Sequence, residues 1–324
     1  MRVIITGGAG FLGRQLTRLI LEKGYLQGPK GRQPVEELIV FDNDLQGFSS
    51  TDSRVRAVQG QISDPAAIAE LLAPGPLTVF HLASIVSGGA ERDFSLALEV
   101  NLQAHIGLLE ALRRLESQPK YVFVSSLAVY GAEKSPYTVG DATRQILQTT
   151  YGMAKSAGEL LVNDYTRKGF IDGRCARLAA VIVRPGAPNS AASSFLSGVV
   201  REPLRGVDFT LPVSMALRIP VIGYRTVVAG LVALHDVPGV QLGADRALNL
   251  PSLPVTMQDM LDALARVGKE RKVGRVQVVP DDFTQRIMSS FPSEARSERA
   301  DALGLPRDQS VDSIIQEYIS DFMS

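Results

Sequence analysis

Within its first thirteen residues the chain commits to a strand, a glycine turn and a helix. Arg2-Val3-Ile4-Ile5-Thr6 is a short β-branched run, and Gly7-Gly8-Ala9-Gly10-Phe11-Leu12-Gly13 follows it without a spacer. Phe11–Lys23 then has the spacing of an amphipathic helix closed by Gly24. Gly7 permits the tight turn, Gly10 lets the backbone approach a pyrophosphate, and Gly13 lets helix and strand pack closely. The helix N-terminus adds N–H groups and a partial positive charge. Position distinguishes this triplet from an ordinary glycine turn, because it lies directly between a strand and a helix.

The rhythm continues to about residue 184. Leu38–Phe41, Val55–Gln59, Thr78–Leu82, Tyr121–Ser125 and the apolar run Arg174–Val183 read as strands. Pro65–Leu72, Arg92–Glu116 and Tyr151–Lys168 read as the helices between them. The strands are continuous apolar runs rather than alternating ones, so both faces of the sheet are expected to be covered. Strands separated by helices imply right-handed crossovers and a parallel sheet. The expected fold is α/β, a Rossmann-type doubly wound parallel sheet over residues 1–184 with a smaller, irregular C-terminal lobe. That lobe spans mainly 185–324, where prolines such as Pro203, Pro212, Pro220 and Pro238 shorten the pieces; part of 217–236 is expected to return to the sheet. Helices are expected near Met257–Val267 and Val311–Phe322. The segment Tyr25–Glu37, with Gly28, Pro29, Gly31 and Pro34, reads as a surface insertion.

An acid ending the second strand is positioned to bind an adenosine ribose, and Asp42 follows Leu38-Ile39-Val40-Phe41 directly. Asp42 and Asp44 would repel a 2′-phosphate, which favours NAD over NADP. Asp64, two residues after Ile62, suits either adenine contact or the N-cap of a helix with Pro65 at its first position. Tyr151 and Lys155, four apart on one helix, share a face. A nearby ammonium lowers a tyrosine pKa and makes a phenolate usable as a base. Ser126, ending a strand, can donate to a substrate oxygen. Asn101 and His105 lie inside an apolar arc of roughly 220° on a helical projection. His105 reads as a core histidine and Asn101 as a proton-relay residue. The width of the arc suggests a partner helix and hence a homodimer.

Lys+Arg and Asp+Glu balance at 34 each, which argues against a nucleic-acid partner. The lone Cys175 excludes an intrachain disulfide and fits a reducing compartment. With no apolar run long enough for a bilayer and no signal-peptide anatomy, a cytoplasmic protein with no membrane partner is expected. No metal site is expected.

Gly7/Gly10/Gly13, Asn101, Ser126, Tyr151 and Lys155 in this order resemble the extended short-chain dehydrogenase/reductase superfamily, the NAD-dependent sugar epimerases and dehydratases. The resemblance covers the whole chain. It implies that Tyr151 is the catalytic base, that Lys155 lowers its pKa and holds the nicotinamide ribose, and that Ser126 orients the substrate. It gives Asn101 a structural and relay role. By the same resemblance Phe11, Leu12, Ile62, Asp64, Leu82, Ala83, Ser84 and Pro185 contact NAD alongside the glycines and Asp42. The family's dehydratases carry an Asp-Glu pair where this chain has Leu127-Ala128, so β-elimination is disfavoured. The stretches Ser125–Gly131, Tyr151–Leu178 and Val183–Leu204 resemble the family's sugar-acid dehydrogenases. That implies a small sugar-acid substrate, foremost the 2-hydroxyl of D-erythronate. The alternatives are a uronate dehydrogenase, a sugar-nucleotide epimerase that retains its NAD, and a non-catalytic NAD-binding protein. Ser87, Asn189, Ser193, Ser194 and Arg218, on segments expected at the cleft mouth, are the candidates to hold the substrate with Ser126 and Tyr151.

Overall fold

Val3, Ile4 and Ile5 are at most 1% exposed, and the strand they form, β1 (Arg2–Thr6), is covered on both faces. The computed structural model describes residues 1–28, 31–73, 75–131, 137–187 and 192–323. After β1 come β2 (Glu37–Asp42), β3 (Val55–Gln59), β4 (Leu77–His81), β5 (Lys120–Ser126) and β6 (Asp172–Leu178). Then β7 (Ala180–Ile182) and β8 (Arg218–Gly223) leave this sheet, β9 (Ala247–Asn249) rejoins it, and β10 (Leu253–Thr256) pairs with β8. The seven-stranded sheet has the order 3-2-1-4-5-6-9, with every neighbouring pair parallel. This is the Rossmann-type order, whose switch point opens a crevice beyond the C-terminal ends of β1 and β4. Thr6, His81 and Ser126 end their strands on that side.

The helices that position the crevice are α1 (Phe11–Lys23), α2 (Pro65–Leu71), α3 (Ala104–Arg113), α4 (Thr150–Arg167), α5 (Phe195–Leu204), α6 (Tyr224–Asp236), α7 (Met257–Val267) and α8 (Val311–Phe322). Gly24 closes α1 in the left-handed region, with φ 73°. Leu16 and Ile20 of α1 join Val227, Leu231 and Leu234 of α6 in one core, on one face of the sheet. Ile68, Leu108, Leu112 and Val162, from α2, α3 and α4, form the other. A separate core gathers α5, α7 and α8 around the small sheet β7-β8-β10.

Three segments differ from their sequence reading. Within the surface insertion Tyr25–Gly28 and Gly31–Pro34 pair as an antiparallel hairpin whose Leu26 is fully buried, and the following Val35 is 3% exposed. Its turn residues dominate the sequence signal and hide these two apolar anchors. The run Arg174–Val183 is two strands in two sheets, and the chain crosses between them at Ala179. An unbroken apolar run carries no mark of such a crossing when both halves are buried. The expected helix 92–116 is broken at Asp93, which caps Phe94–Leu98 by accepting from the Leu96 N–H at 2.9 Å. It then passes through a π-turn at Glu99–Gln103 before α3. The π-turn shifts the phase, so a constant 100° projection superposes two different faces.

A buried polar network fixes α4 on the sheet. Arg177 on β6 donates through Nε and Nη2 to the two carboxylate oxygens of Glu159 on α4, at 2.9 and 2.7 Å. The side chains are 5% and 3% exposed. Ser125 and Gln145 donate to the same carboxylate at 2.5 and 2.6 Å. Arg177 also donates to Tyr130 Oη at 2.6 Å, and Tyr130 reaches Asn249 on β9 at 3.2 Å. Arg177→Met would leave the Glu159 carboxylate buried and unpaired. Denaturant unfolding should show a loss of about 3–5 kcal/mol, and Arg177→Met with Glu159→Met should recover part of it.

Candidate active site

The glycine turn is shaped by contacts that exclude side chains. Gly7 has φ +67°, and a Cβ there would lie 2.7 Å from the Ala83 nitrogen on the segment after β4. A Cβ on Gly13 would lie 2.5 Å from the Gly8 carbonyl oxygen. Gly10 is the N-cap of α1 and gives no side-chain cap, and no acid stands in the first turn. The first N–H groups of α1 are therefore left to an anion. Beside them, Asp42 Oδ2 accepts from the Ala9 N–H at 3.0 Å. A backbone cradle facing a helix N-terminus, with a carboxylate at its flank, fits a dinucleotide.

From this cradle a cleft of about 1400 Å³, open to solvent, runs across the C-terminal ends of the strands. Gly7, Gly10, Phe11, Leu12 and Gly13 line one end; Ser126, Tyr151 and Lys155 line its middle. Thr149 caps α4 by accepting from the Gly152 N–H at 3.0 Å, so Tyr151 sits in the first turn and Lys155 one turn later. Lys155 Nζ donates to the Val124 carbonyl at 2.8 Å and stands 5.4 Å from the Tyr151 ring centroid. Burial pushes Tyr151 up to about 12, against a lowering hydrogen bond from Ser126. Burial also pulls Lys155 down to about 7, with Glu159 acting against it. Ser126 thus acts against the burial of the Tyr151 hydroxyl, and Lys155 stands beside the ring.

His105 is a core residue: it is fully buried, its ring centroid is 4.4 Å from that of Phe123, and burial pulls it down to about 3. Asn101 lies in the π-turn, off the cleft wall, and clamps the segment after β4. Its Oδ1 accepts from the Ile85 N–H at 2.7 Å and from Ser84 Oγ at 3.1 Å, while its Nδ2 donates to the Ile85 carbonyl at 2.9 Å. The side chain is thus engaged in shaping the cleft edge rather than pointing into it.

Leu82, Ser84, Ser87, Ser193 and Ser194 lie on the wall, and Ala83 abuts Gly7. Asp64 caps α2 by accepting from the Ala66 N–H at 2.9 Å, and like Asp42 it does not line the cleft. Ile62 is packed in the core beside Phe41 and Ile68, and Pro185 is also off the described wall. Arg218 faces outwards, with its side chain 47% exposed and Glu294 at 3.6 Å, while Ile219 and Pro220 next to it line the cleft. Asn189 lies outside the described residues. Missed by the sequence reading were Arg184, Met288 and Phe291, all on the wall. Arg184 carried a signal: a cation closing an apolar run, immediately before Pro185-Gly186. Among the described residues no cluster of three or more His, Cys, Asp or Glu could hold a metal ion, and no helix is long and apolar enough to cross a membrane.

Comparison with known proteins agrees with this geometry. Residues 3–223 match the model of the NAD dependent epimerase/dehydratase family. The chain is 44% identical to D-erythronate dehydrogenase of Cupriavidus necator over 322 residues, covering 99% of this chain and 98% of that one. It is 38% identical to D-erythronate dehydrogenase of Haemophilus influenzae over 319 residues, covering 98% and 99%. The crystal structure of the nucleoside-diphosphate-sugar epimerase from Agrobacterium tumefaciens superposes with a TM-score of 0.89 at 34% identity, covering 100% of this chain and 94% of that one. With a dinucleotide cradle at the switch point and a matching family model over two thirds of its length, the chain belongs to the NAD dependent epimerase/dehydratase family and is an NAD-dependent oxidoreductase.

Proposed function

We propose that this protein oxidises a hydroxyl of a small sugar acid, foremost the 2-hydroxyl of D-erythronate, with Tyr151 as base. The observation that carries the reading is one cleft lined both by the glycine cradle and by Ser126, Tyr151 and Lys155, in a chain 44% identical over nearly its whole length to a D-erythronate dehydrogenase. Residues 1–184, joined by part of 217–236, would hold the dinucleotide, and 185–324 mainly the substrate.

When bound, NAD supplies the hydride acceptor. The protein's part is to hold and deprotonate. Gly7, Gly10, Gly13 and Asp42 would hold the dinucleotide. Ser126 holds the substrate hydroxyl oxygen and Tyr151 Oη takes its proton, so that the carbinol carbon can release its hydride and become a ketone. Lys155, beside the tyrosine ring, favours the phenolate to the extent that it carries its proton. Asn101 is a positioning residue, acting through the Ser84–Ile85 segment.

An epimerase that retains its cofactor shares all these residues, and the Agrobacterium tumefaciens structure carries that name. Net NADH formation separates the two. Incubation with NAD⁺ and D-erythronate should produce NADH, with NADP⁺ far poorer; no NADH with any four- to six-carbon sugar acid sinks the dehydrogenase reading. Tyr151→Phe should lower kcat by about 10²–10⁴-fold. Because Ser126 eases deprotonation of Tyr151, the rate should rise with pH, and Ser126→Ala should move that rise to higher pH. A rise left in place would remove this role. Gly13→Val should weaken NAD binding by about tenfold or more in calorimetry, since its side chain meets the Gly8 carbonyl. A homodimer through the helical segment that exposes Phe94, Leu96 and Ile106 completes the reading, and sedimentation as a monomer at micromolar concentration would remove it.

A further inference from the structure

Two cations reach the cleft wall among the described residues, Lys155 and Arg184, and no acid does. Lys155 is taken up by the tyrosine. Arg184 is half-buried, two residues beyond the end of β7. Its backbone is clamped from α5 on both sides: its N–H donates to Ser197 Oγ at 3.1 Å, and its carbonyl accepts from Arg201 Nη1 at 2.9 Å. Ser197 is 2% exposed and Arg201 1%, so the clamp is built into the core. Burial and the neighbouring Arg201 cation both push the Arg184 pKa down. No carboxylate among the described residues forms an ion pair with Arg184, whereas Arg201 has Glu202 at 2.6 Å. The wall therefore presents a guanidinium on a firmly held backbone, with no carboxylate partner among the described residues.

In a 2-hydroxy acid the carboxylate is bonded directly to the carbon being oxidised. Any cation that binds it must share the cleft with Ser126 and Tyr151, as Arg184 does. The planar fork of a guanidinium matches a carboxylate with two parallel hydrogen bonds, and so fixes orientation as well as charge. Resting on the sugar-acid reading above, we infer that Arg184 is the anchor of the substrate carboxylate. It selects free 2-hydroxy acids over neutral polyols and sets which hydroxyl faces Tyr151.

The test compares D-erythronate with its neutral amide, D-erythronamide, following NADH with wild-type protein, Arg184→Met and Arg184→Lys. Wild type should prefer the acid by about 30–100-fold in kcat/KM. Arg184→Met should lose about that factor on the acid, chiefly through KM, while its kcat/KM for the amide and its KM for NAD⁺ stay within about twofold. Arg184→Lys should fall between, keeping charge but losing the fork. Equal losses on acid and amide, or no loss on either, overturn the anchor while leaving the dehydrogenase reading intact. No wild-type turnover of any sugar acid overturns both. Should Arg184→Met fail to fold, Arg184→Lys decides: an acid-only rise in KM of about tenfold supports the anchor, and an unchanged acid-to-amide ratio refutes it.

Discussion

The pairing of Glu159 with Arg177 is the constraint on which the rest of the site depends. Apolar contacts hold a helix against a parallel sheet, but they allow sliding and rotation. Two buried charges joined by two hydrogen bonds do not. Their net contribution to stability is small compared with an apolar pair of the same volume; what they add is direction. Glu159 follows Lys155 by one turn and Tyr151 by two on the same helix. Ser125, which also donates to Glu159, precedes Ser126 on the strand. One carboxylate thus sets the helix that carries Tyr151 against the strand that carries Ser126.

The same network reaches the edge of the sheet. Tyr130 and Asn249 link Arg177 to β9, and Asn249 in turn accepts no freedom of its own, donating to the Arg296 carbonyl at 2.9 Å and to Asp141 at 2.7 Å. The late strand β9 is tied to the segment before α4 through these bonds. Only one residue, Ala179, separates β6 in the large sheet from β7 in the small one. The cleft lies where the two sheets part.

Much of this was legible in the sequence because local and tertiary demands agree. β1, α1, α7 and α8 begin and end where their apolar spacing and caps place them. Gly7–Gly13, Ser126, Tyr151 and Lys155 share one cleft, as their order along the chain suggested. The failures share a cause, which is information held between segments rather than within one. The π-turn around Asn101 depends on what the Ser84–Ile85 segment requires. Arg218 opens β8 and Arg184 follows β7 by two residues, and nothing within either segment marks Arg184 as the one that reaches the cleft wall. The buried Leu26 and Val35 are drawn into a core assembled from α1 and α6, far away in the chain.

The two ends of the cleft are made of different material. The dinucleotide end is formed by main-chain atoms, where Gly7 and Gly13 tolerate no addition. The opposite end is formed by side chains such as Arg184, Met288 and Phe291, borne on a separate core. A substitution in the first collides with main-chain atoms, whereas one in the second meets side chains that can repack. The architecture divides its tolerance of change accordingly: one half with no room for an added atom, and another that can be reshaped residue by residue.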